Sequence, residues 1–232
     1  MNRAIRLGIL GAGLGSRMQT KAKAKPLAQI GGRSLIERLL AEFQSAGVKR
    51  ICCALRAELI DAEDRESLPS SPEIDWVFVD TISSLHTLEA LIERMGMKEP
   101  ALFCMADTIL RPEDLKKFLS FCSQLAPNSC AVLVTPYVDD EKPLWVQVDK
   151  NGDVLKFDGE NGQYVTSGMY FLSPKAMASA AKLVQSDVHK MRNFLSSLIE
   201  QKTQIKTFVV AKTIDVDHPS DLDQAEEFLR SN

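Results

Sequence analysis

Short apolar runs at residues 6–10, 50–55, 74–79, 101–105 and 131–136 punctuate the first part of the chain. Each has the length of a β-strand, and the segments between them carry apolar residues at the helical period. Within 34–46, Leu35, Ile36, Leu39, Leu40 and Phe43 fall on one face, and Gly47 follows as a natural helix stop. Residues 83–94 and 112–124 behave likewise. The second of these opens with Pro112, Glu113 and Asp114, in a first turn where proline costs no hydrogen bond and carboxylates meet the positive helix end. Strands alternating with helices predict an α/β fold around a mostly parallel sheet flanked by helices.

From Trp145 the pattern changes to alternating strands with a turn at Lys150-Asn151-Gly152-Asp153. This predicts a β-hairpin attached to the main sheet, so residues 140–165 form a small lobe within one domain of residues 1–232. A strand at 164–172, helices from Pro174 and at 193–201, a strand at 204–210 and a helix from Pro219 follow. Residues 67–72 read as a surface loop.

Composition narrows the function classes. With 232 residues, 45% hydrophobic and 25% charged, the chain has enough apolar material for its own core and is not a disordered polymer. A net charge of -3 supplies no basic field for a nucleic-acid backbone. No apolar stretch approaches the roughly 20 residues of a membrane span. The opening residues enter a strand-like run without the apolar region of a secretory signal, so a cytoplasmic protein is expected. The cysteines at 52, 53, 104, 122 and 130 form no CxxC pair and lie mostly in apolar runs, as reduced core thiols do.

The candidate chemistry begins where the first strand ends. Leu10 leads into Gly11-Ala12-Gly13-Leu14-Gly15-Ser16-Arg17, a strand-then-turn arrangement whose backbone N–H groups can point at an anion. A dinucleotide-binding turn requires glycine where Ser16 stands, and a Walker loop requires Gly-Lys-Ser/Thr where the chain has Gly15-Ser16-Arg17. Taken alone, the turn also reads as a plain tight turn.

With Arg17, Lys25-Pro26-Leu27, Gly31-Gly32 and Ser34-Leu35-Ile36 in order behind it, the segment resembles the opening of the nucleotidyltransferases, or nucleoside-diphosphate-sugar pyrophosphorylases. That group includes cytidylyltransferases for phosphorylated alcohols. The resemblance runs from residue 4 to about 229 and implies a single-domain Rossmann-like (GT-A-like) fold. It implies attack of a phosphate oxygen on the α-phosphorus of a nucleoside triphosphate, with release of pyrophosphate. Such chemistry is mainly positioning and neutralisation of charge. The turn (Leu10, Gly11, Ala12, Gly13, Gly15, Ser16) would wrap the triphosphate, Arg17 would steady the departing pyrophosphate, and Lys25 would contact the α-phosphate. Lys21 and Lys23 read either as additions to this field or as solvated surface lysines.

Asp107 stands at the C-terminal end of a predicted core strand, the edge at which parallel α/β sheets bind ligands. The segment Thr213-Ile-Asp-Val-Asp-His-Pro-Ser-Asp-Leu222 resembles the closing motif of the same group. The resemblance makes Asp107 and Asp217 the ligands of a magnesium ion, with Asp215 in support, and magnesium suits carboxylate, phosphate and water oxygens. Asp221 reads as a local residue of the last helix's first turn. Ala106 replaces a glycine, Gly11 an alanine and His218 a threonine of the group's usual pattern.

Ser83 and Ser84 read either as contacts to the base or as helix caps. The run Ile82-Ser83-Ser84-Leu85 resembles that of the cytidylyltransferases for phosphorylated alcohols, and the resemblance implies a pyrimidine triphosphate, UTP or CTP. Val165-Thr-Ser-Gly-Met-Tyr170 resembles the strand under the acceptor, which makes Thr166, Ser167 and Gly168 acceptor-binding candidates, with Lys142 and Lys156 as candidate phosphate contacts. The expected partners are a nucleoside triphosphate and a sugar 1-phosphate or phosphorylated alcohol. The rivals are a catalytically silent sensor of a nucleotide or nucleotide-sugar and a nucleotidyltransferase for a molybdopterin-type cofactor.

Overall fold

The computed structural model describes residues 3–139 and 141–230. Strand β1 (Arg6–Gly11) runs into the glycine turn, and a ribbon of β2 (Gln29–Ile30) and β3 (Arg33–Ser34) precedes α1 (Leu35–Ser45). Next come β4 (Arg50–Leu55), α2 (Ala62–Ser67), β5 (Ile74–Phe78) and α3 (Ser84–Met95). They are followed by β6 (Ala101–Met105), β7 (Thr108–Ile109), α4 (Pro112–Gln124) and β8 (Cys130–Thr135). The hairpin β9 (Trp145–Val148) and β10 (Val154–Asp158) leads to β11 (Tyr164–Leu172), α5 (Pro174–Gln185) and α6 (Met191–Glu200). Strands β12 (Ile205–Val209) and β13 (Ile214–Asp215) and helix α7 (Asp221–Arg230) complete the order.

Strands β5, β4, β1 and β6 lie side by side and parallel. Every residue of β1 is buried, as expected of a central strand with both faces covered. The antiparallel β11 then forks the sheet: one edge pairs with β6 and with β9 of the hairpin, the other with β8, which carries β12 parallel beside it. The fork centres on Gly168, where φ is +68° and the register with β8 shifts. The hairpin folds back on β12: the Thr207 N–H donates to the Gly152 carbonyl at 2.9 Å, and Lys206 pairs with Asp153 at 2.7 Å. The α/β sandwich expected from the periodicity is therefore present, parallel through its first half and mixed beyond it.

Two cores sandwich the sheet. Ile36, Leu39, Leu40 and Phe43 of α1 pack with Leu7, Ile9 and Ile51 on one face, and Leu85, Leu88, Leu91 and Ile92 of α3 pack with Leu10, Ala54 and Phe103 on the other. Helix α1 starts in a reciprocal cap, Ser34 Oγ accepting from the Glu37 N–H at 3.3 Å while Glu37 Oε2 accepts from the Ser34 N–H at 2.8 Å. Gly47, at φ +87°, ends it with an N–H to the Gln44 carbonyl. All five cysteine thiols are free and buried, and burial pushes that of Cys52 up to about 12.

A third, smaller core positions the site. Met18, behind the glycine turn, packs with Ile109, Ile214 and Val216 of the β7–β13 ribbon and with Ala225 and Phe228 of α7. Helix α2 and the two ribbons extend the pattern predicted from sequence. Helix α2 reads Ala-Glu-Asp-Arg-Glu-Ser and buries none of these residues, so no apolar stripe marks it. Its cap holds it instead, Asp61 and Asp64 bonding each other's backbone N–H at 3.0 Å. The ribbon strands have two residues each, too few to show a period. Among the described residues, no helix is long and apolar enough to cross a membrane.

Candidate active site

Lys25 opens a short helical turn just before Pro26, and its ammonium donates to Asp107 Oδ2 and to Asp217 Oδ1, each at 2.5 Å. Burial works against the charge on Lys25. The carboxylates of Asp107, Asp215 and Asp217 outweigh it and hold the ammonium above the ordinary lysine value. Asp107 and Asp217 are far apart in sequence and are brought together by the ribbon: Asp215 pairs with Thr108, and the Val216 N–H donates to the Asp107 carbonyl at 3.1 Å. Asp221 fixes the far side of the loop, its Oδ2 accepting from the backbone N–H groups of Asp217 and His218 at 2.8 and 2.6 Å. It thus shapes the loop with its own carboxylate, where the sequence suggested only a residue of a helix turn.

Asp215, on β13, opens partly to solvent and lies near Asp107 and Lys25. Desolvation and the nearby Asp107 charge push its carboxyl above the usual carboxylate range. Asp107 Oδ1 is a buried acceptor with no hydrogen-bond partner. Among the described residues, no group of three or more His, Cys, Asp or Glu has the arrangement of an all-protein metal cage. The donors are carboxylate oxygens, one of them buried and without a hydrogen-bond partner, which fits a hard cation that takes the rest of its shell from phosphate or water, as magnesium does.

The glycines of the turn serve different ends. A Cβ on Gly15 would stand 2.6 Å from Lys25 Cβ, and φ there is +54°, so glycine is what lets the turn close over the lysine. A Cβ on Gly11 would meet the Ala54 carbonyl at 2.9 Å, a demand of the sheet itself. Gly13 has open space around it. Ser16 and Arg17 follow in a helical turn. The Arg17 side chain is half exposed, 3.9 Å from both Glu141 and Asp217. Lys23 is committed to Asp61 and Asp64 at 2.5 and 2.9 Å, which leaves it a surface residue.

A cleft of about 350 Å³ is lined by Ser83, Ser84, Thr166 and Gly168 and includes Asp215, whose carboxylate acts on the Lys25 charge. Ser83 is also the cap of α3, its Oγ accepting from the His86 N–H at 3.4 Å, so cap and cleft wall are one residue. Two acceptor candidates also serve the fold. Ser167 is buried, and its Oγ accepts from Thr213 Oγ1 at 3.0 Å. The close approach that Gly168 permits is that of Thr108, whose Oγ1 would be 2.4 Å from an added Cβ. Lys142 lines the cleft, whereas Lys156 lies outside its lining, exposed on β10.

Residues that the sequence did not single out supply the rest of the cleft. His189, Lys190 and Arg192, just before and at the start of α6, line it, and His189 stacks on His86 with ring centroids 5.1 Å apart. Their only signal was a cluster of cations ahead of an amphipathic helix, which equally describes a solvated surface.

A family model described as the MobA-like NTP transferase domain matches residues 7–202. The chain belongs to that family. As an NTP transferase it is a nucleotidyltransferase, and its turn, Lys25, Asp107 and the cations of the cleft all lie inside the matched range, whereas Asp215 and Asp217 lie beyond it. No protein among the curated sequences matches the chain. Solved structures share the fold of this NTP transferase. The inositol-1-phosphate CTP transferase from T. maritima superposes with a TM-score of 0.81 at 18% identity, over 99% of this chain and 97% of that one. The CTP:phosphocholine cytidylyltransferase LicC from Streptococcus pneumoniae gives 0.73 at 17%, over 98% and 100%. HddC from Yersinia pseudotuberculosis, solved with GMP-PN, gives 0.71 at 22%, over 97% and 99%.

Proposed function

We propose that this NTP transferase moves a nucleotidyl group from a pyrimidine triphosphate, UTP or CTP, to a sugar 1-phosphate or a phosphorylated alcohol, releasing pyrophosphate. The observation that carries the reading is the convergence of Lys25, Asp107 and Asp217 beside the glycine turn, together with a cleft lined by Lys142, Lys190 and Arg192 and by Asp215, which also acts on Lys25. The solved structures named as acting on inositol 1-phosphate and phosphocholine support this acceptor class.

In the reaction an oxygen of the acceptor phosphate bonds to the α-phosphorus as the bond from that phosphorus to its β-side bridging oxygen breaks. Two anions must approach each other, so the protein's task is to neutralise and align them. The backbone N–H groups of the turn (Leu10, Gly11, Ala12, Gly13, Gly15, Ser16) hold the triphosphate. Lys25 neutralises the α-phosphate, and Arg17, on a half-exposed side chain, follows the charge that builds on the departing pyrophosphate. Ser83 and Ser84 border the base. Thr166 and the cleft cations orient the acceptor, with Ser167 and Gly168 shaping the strand beneath it. Asp107 and Asp217 would hold magnesium, which when bound neutralises triphosphate oxygens and helps align them. The reading places the reaction in the cytoplasm.

Pyrophosphate release, measured with magnesium over each common triphosphate and a panel of sugar 1-phosphates and phosphorylated alcohols, tests the proposal. Release is expected with one pyrimidine triphosphate and one acceptor, and to fall at least ~1,000-fold in D107A. Nucleotide binding without release for any pair would favour a silent sensor instead.

A further inference from the structure

Arg56, the residue after β4, reaches across the sheet edge to both sides of the nucleotide end of the site. Its Nη1 donates to the Ala12 carbonyl at 3.3 Å, in the glycine turn, and to the Thr81 carbonyl at 2.9 Å, in the segment that leads to Ser83. One nitrogen with two N–H groups therefore spans two backbone stretches from different parts of the chain. The guanidinium is nearly buried, and Glu58 Oε1 accepts from its Nε at 2.5 Å, which balances the charge and fixes the plane of the fork.

The second stretch is braced elsewhere as well. The Glu58 N–H donates to Asp80 Oδ1 at 3.0 Å, and the Ala57 N–H to the Val79 carbonyl at 3.3 Å. On the other side, Thr81 Oγ1 lies 2.6 Å from Thr87 Oγ1, which donates to the Ser83 carbonyl at 3.2 Å. These bonds make residues 79–83 a rigid unit with α3. Their link to the glycine turn through a side chain is the Arg56 fork. Ile82, exposed over three-quarters of its surface, is an apolar side chain beside Ser83, the kind of neighbour that the face of a nucleobase needs.

We infer that Arg56 is a positioning residue that sets the spacing between the turn that takes the phosphates and the segment that takes the base, and through that spacing the affinity for the triphosphate. The inference rests on the nucleotide site proposed above. Arginine is required because lysine, a single point donor on a flexible stem, cannot serve both carbonyls and Glu58 in one plane. Ser83 ends the braced segment and also lines the cleft, but the partners of Arg56 itself are Ala12, Thr81 and Glu58, all at the nucleotide end, so its effect falls mainly on the triphosphate.

The experiment is steady-state kinetics of wild type, R56K and R56Q with both substrates varied. Wild type is measured first: if it turns over no triphosphate, the nucleotide-site reading itself fails. Given turnover, R56Q is expected to raise the triphosphate KM about tenfold, the effect of losing one hydrogen bond to a charged donor, and R56K about threefold. The KM for the acceptor is expected to stay within about twofold of wild type, and kcat within about threefold. R56K keeps the charge and supplies the answer if R56Q does not fold. An unchanged triphosphate KM in R56K and R56Q, or a parallel rise in the KM of both substrates, would overturn the inference and leave the function proposal standing.

Discussion

Gly15 shows how narrowly the site is built at the level of a single residue. Its missing Cβ is the space that Lys25 fills, and its positive φ is one that other residues adopt only at a cost. G15A is therefore expected to lose about 1–2 kcal/mol of stability by denaturant titration and at least about 100-fold in pyrophosphate release, since the lysine must move. A glycine in a phosphate turn suggests room for an anion; here the neighbour that requires it is the catalytic candidate itself. Glu42 makes a different single-residue case. On α1, burial pushes its carboxyl up to about 7 despite the opposing pull of Arg38. A raised value means the folded state holds a proton that the unfolded chain, titrating near 4.5, has released. Its contribution is full below about pH 4.5 and is lost as pH rises through 7. After discounting for its partial solvent contact, E42Q is expected to raise the thermal midpoint by ~2–4 °C at pH 8 and by little at pH 5. An equal shift at both pH values would contradict this.

Among elements, the β7–β13 ribbon matters most for its size. Two residues from each strand, with the Val216 N–H on the Asp107 carbonyl, bring the two aspartates to one lysine. Asp221, at the start of α7, completes the loop by accepting two backbone N–H groups. D221A leaves both donors without their acceptor and is expected to lower kcat about 10–100-fold with the acceptor KM little changed, because Asp217 loses its support. Here the limits of sequence reading are physical. The main strands and α1, α3, α4 and α5 were legible because they bury an apolar face or stripe. Helix α2 and the ribbons were not, since the first has no stripe and the second no length. In the site, Lys25, Asp107 and Asp217 were legible from motif and strand end. Arg56, His189, Lys190 and Arg192 were not, because a cation after a strand or before a helix looks the same whether it meets water or a ligand. Ser167 shows the opposite case: the strand position was legible, but not that its hydroxyl is bonded inward to Thr213.

For the whole molecule, the sheet divides labour along its fork. The parallel half ends in the glycine turn and Asp107, and the mixed half, built on β11, supplies Thr166 and Gly168 of the cleft proposed for the acceptor. Asp215 lies where the halves meet. On the proposed reading, Ser83 and Ser84 on the nucleotide side and Thr166 on the acceptor side line one cleft with Asp215, so the reacting phosphates would meet there. A double variant K190A/R192A is expected to raise the acceptor KM at least about tenfold while leaving the triphosphate KM within about twofold, the converse of the Arg56 variants. The most direct test of nucleotidyl transfer at this site is phosphorus NMR of a reaction containing the triphosphate, the acceptor phosphate and magnesium, run with wild type and with D107N. Equal amounts of pyrophosphate and a new diphosphate diester, both absent with D107N, are predicted. Release of inorganic phosphate with a nucleoside diphosphate, or an unchanged spectrum from D107N, would contradict the account.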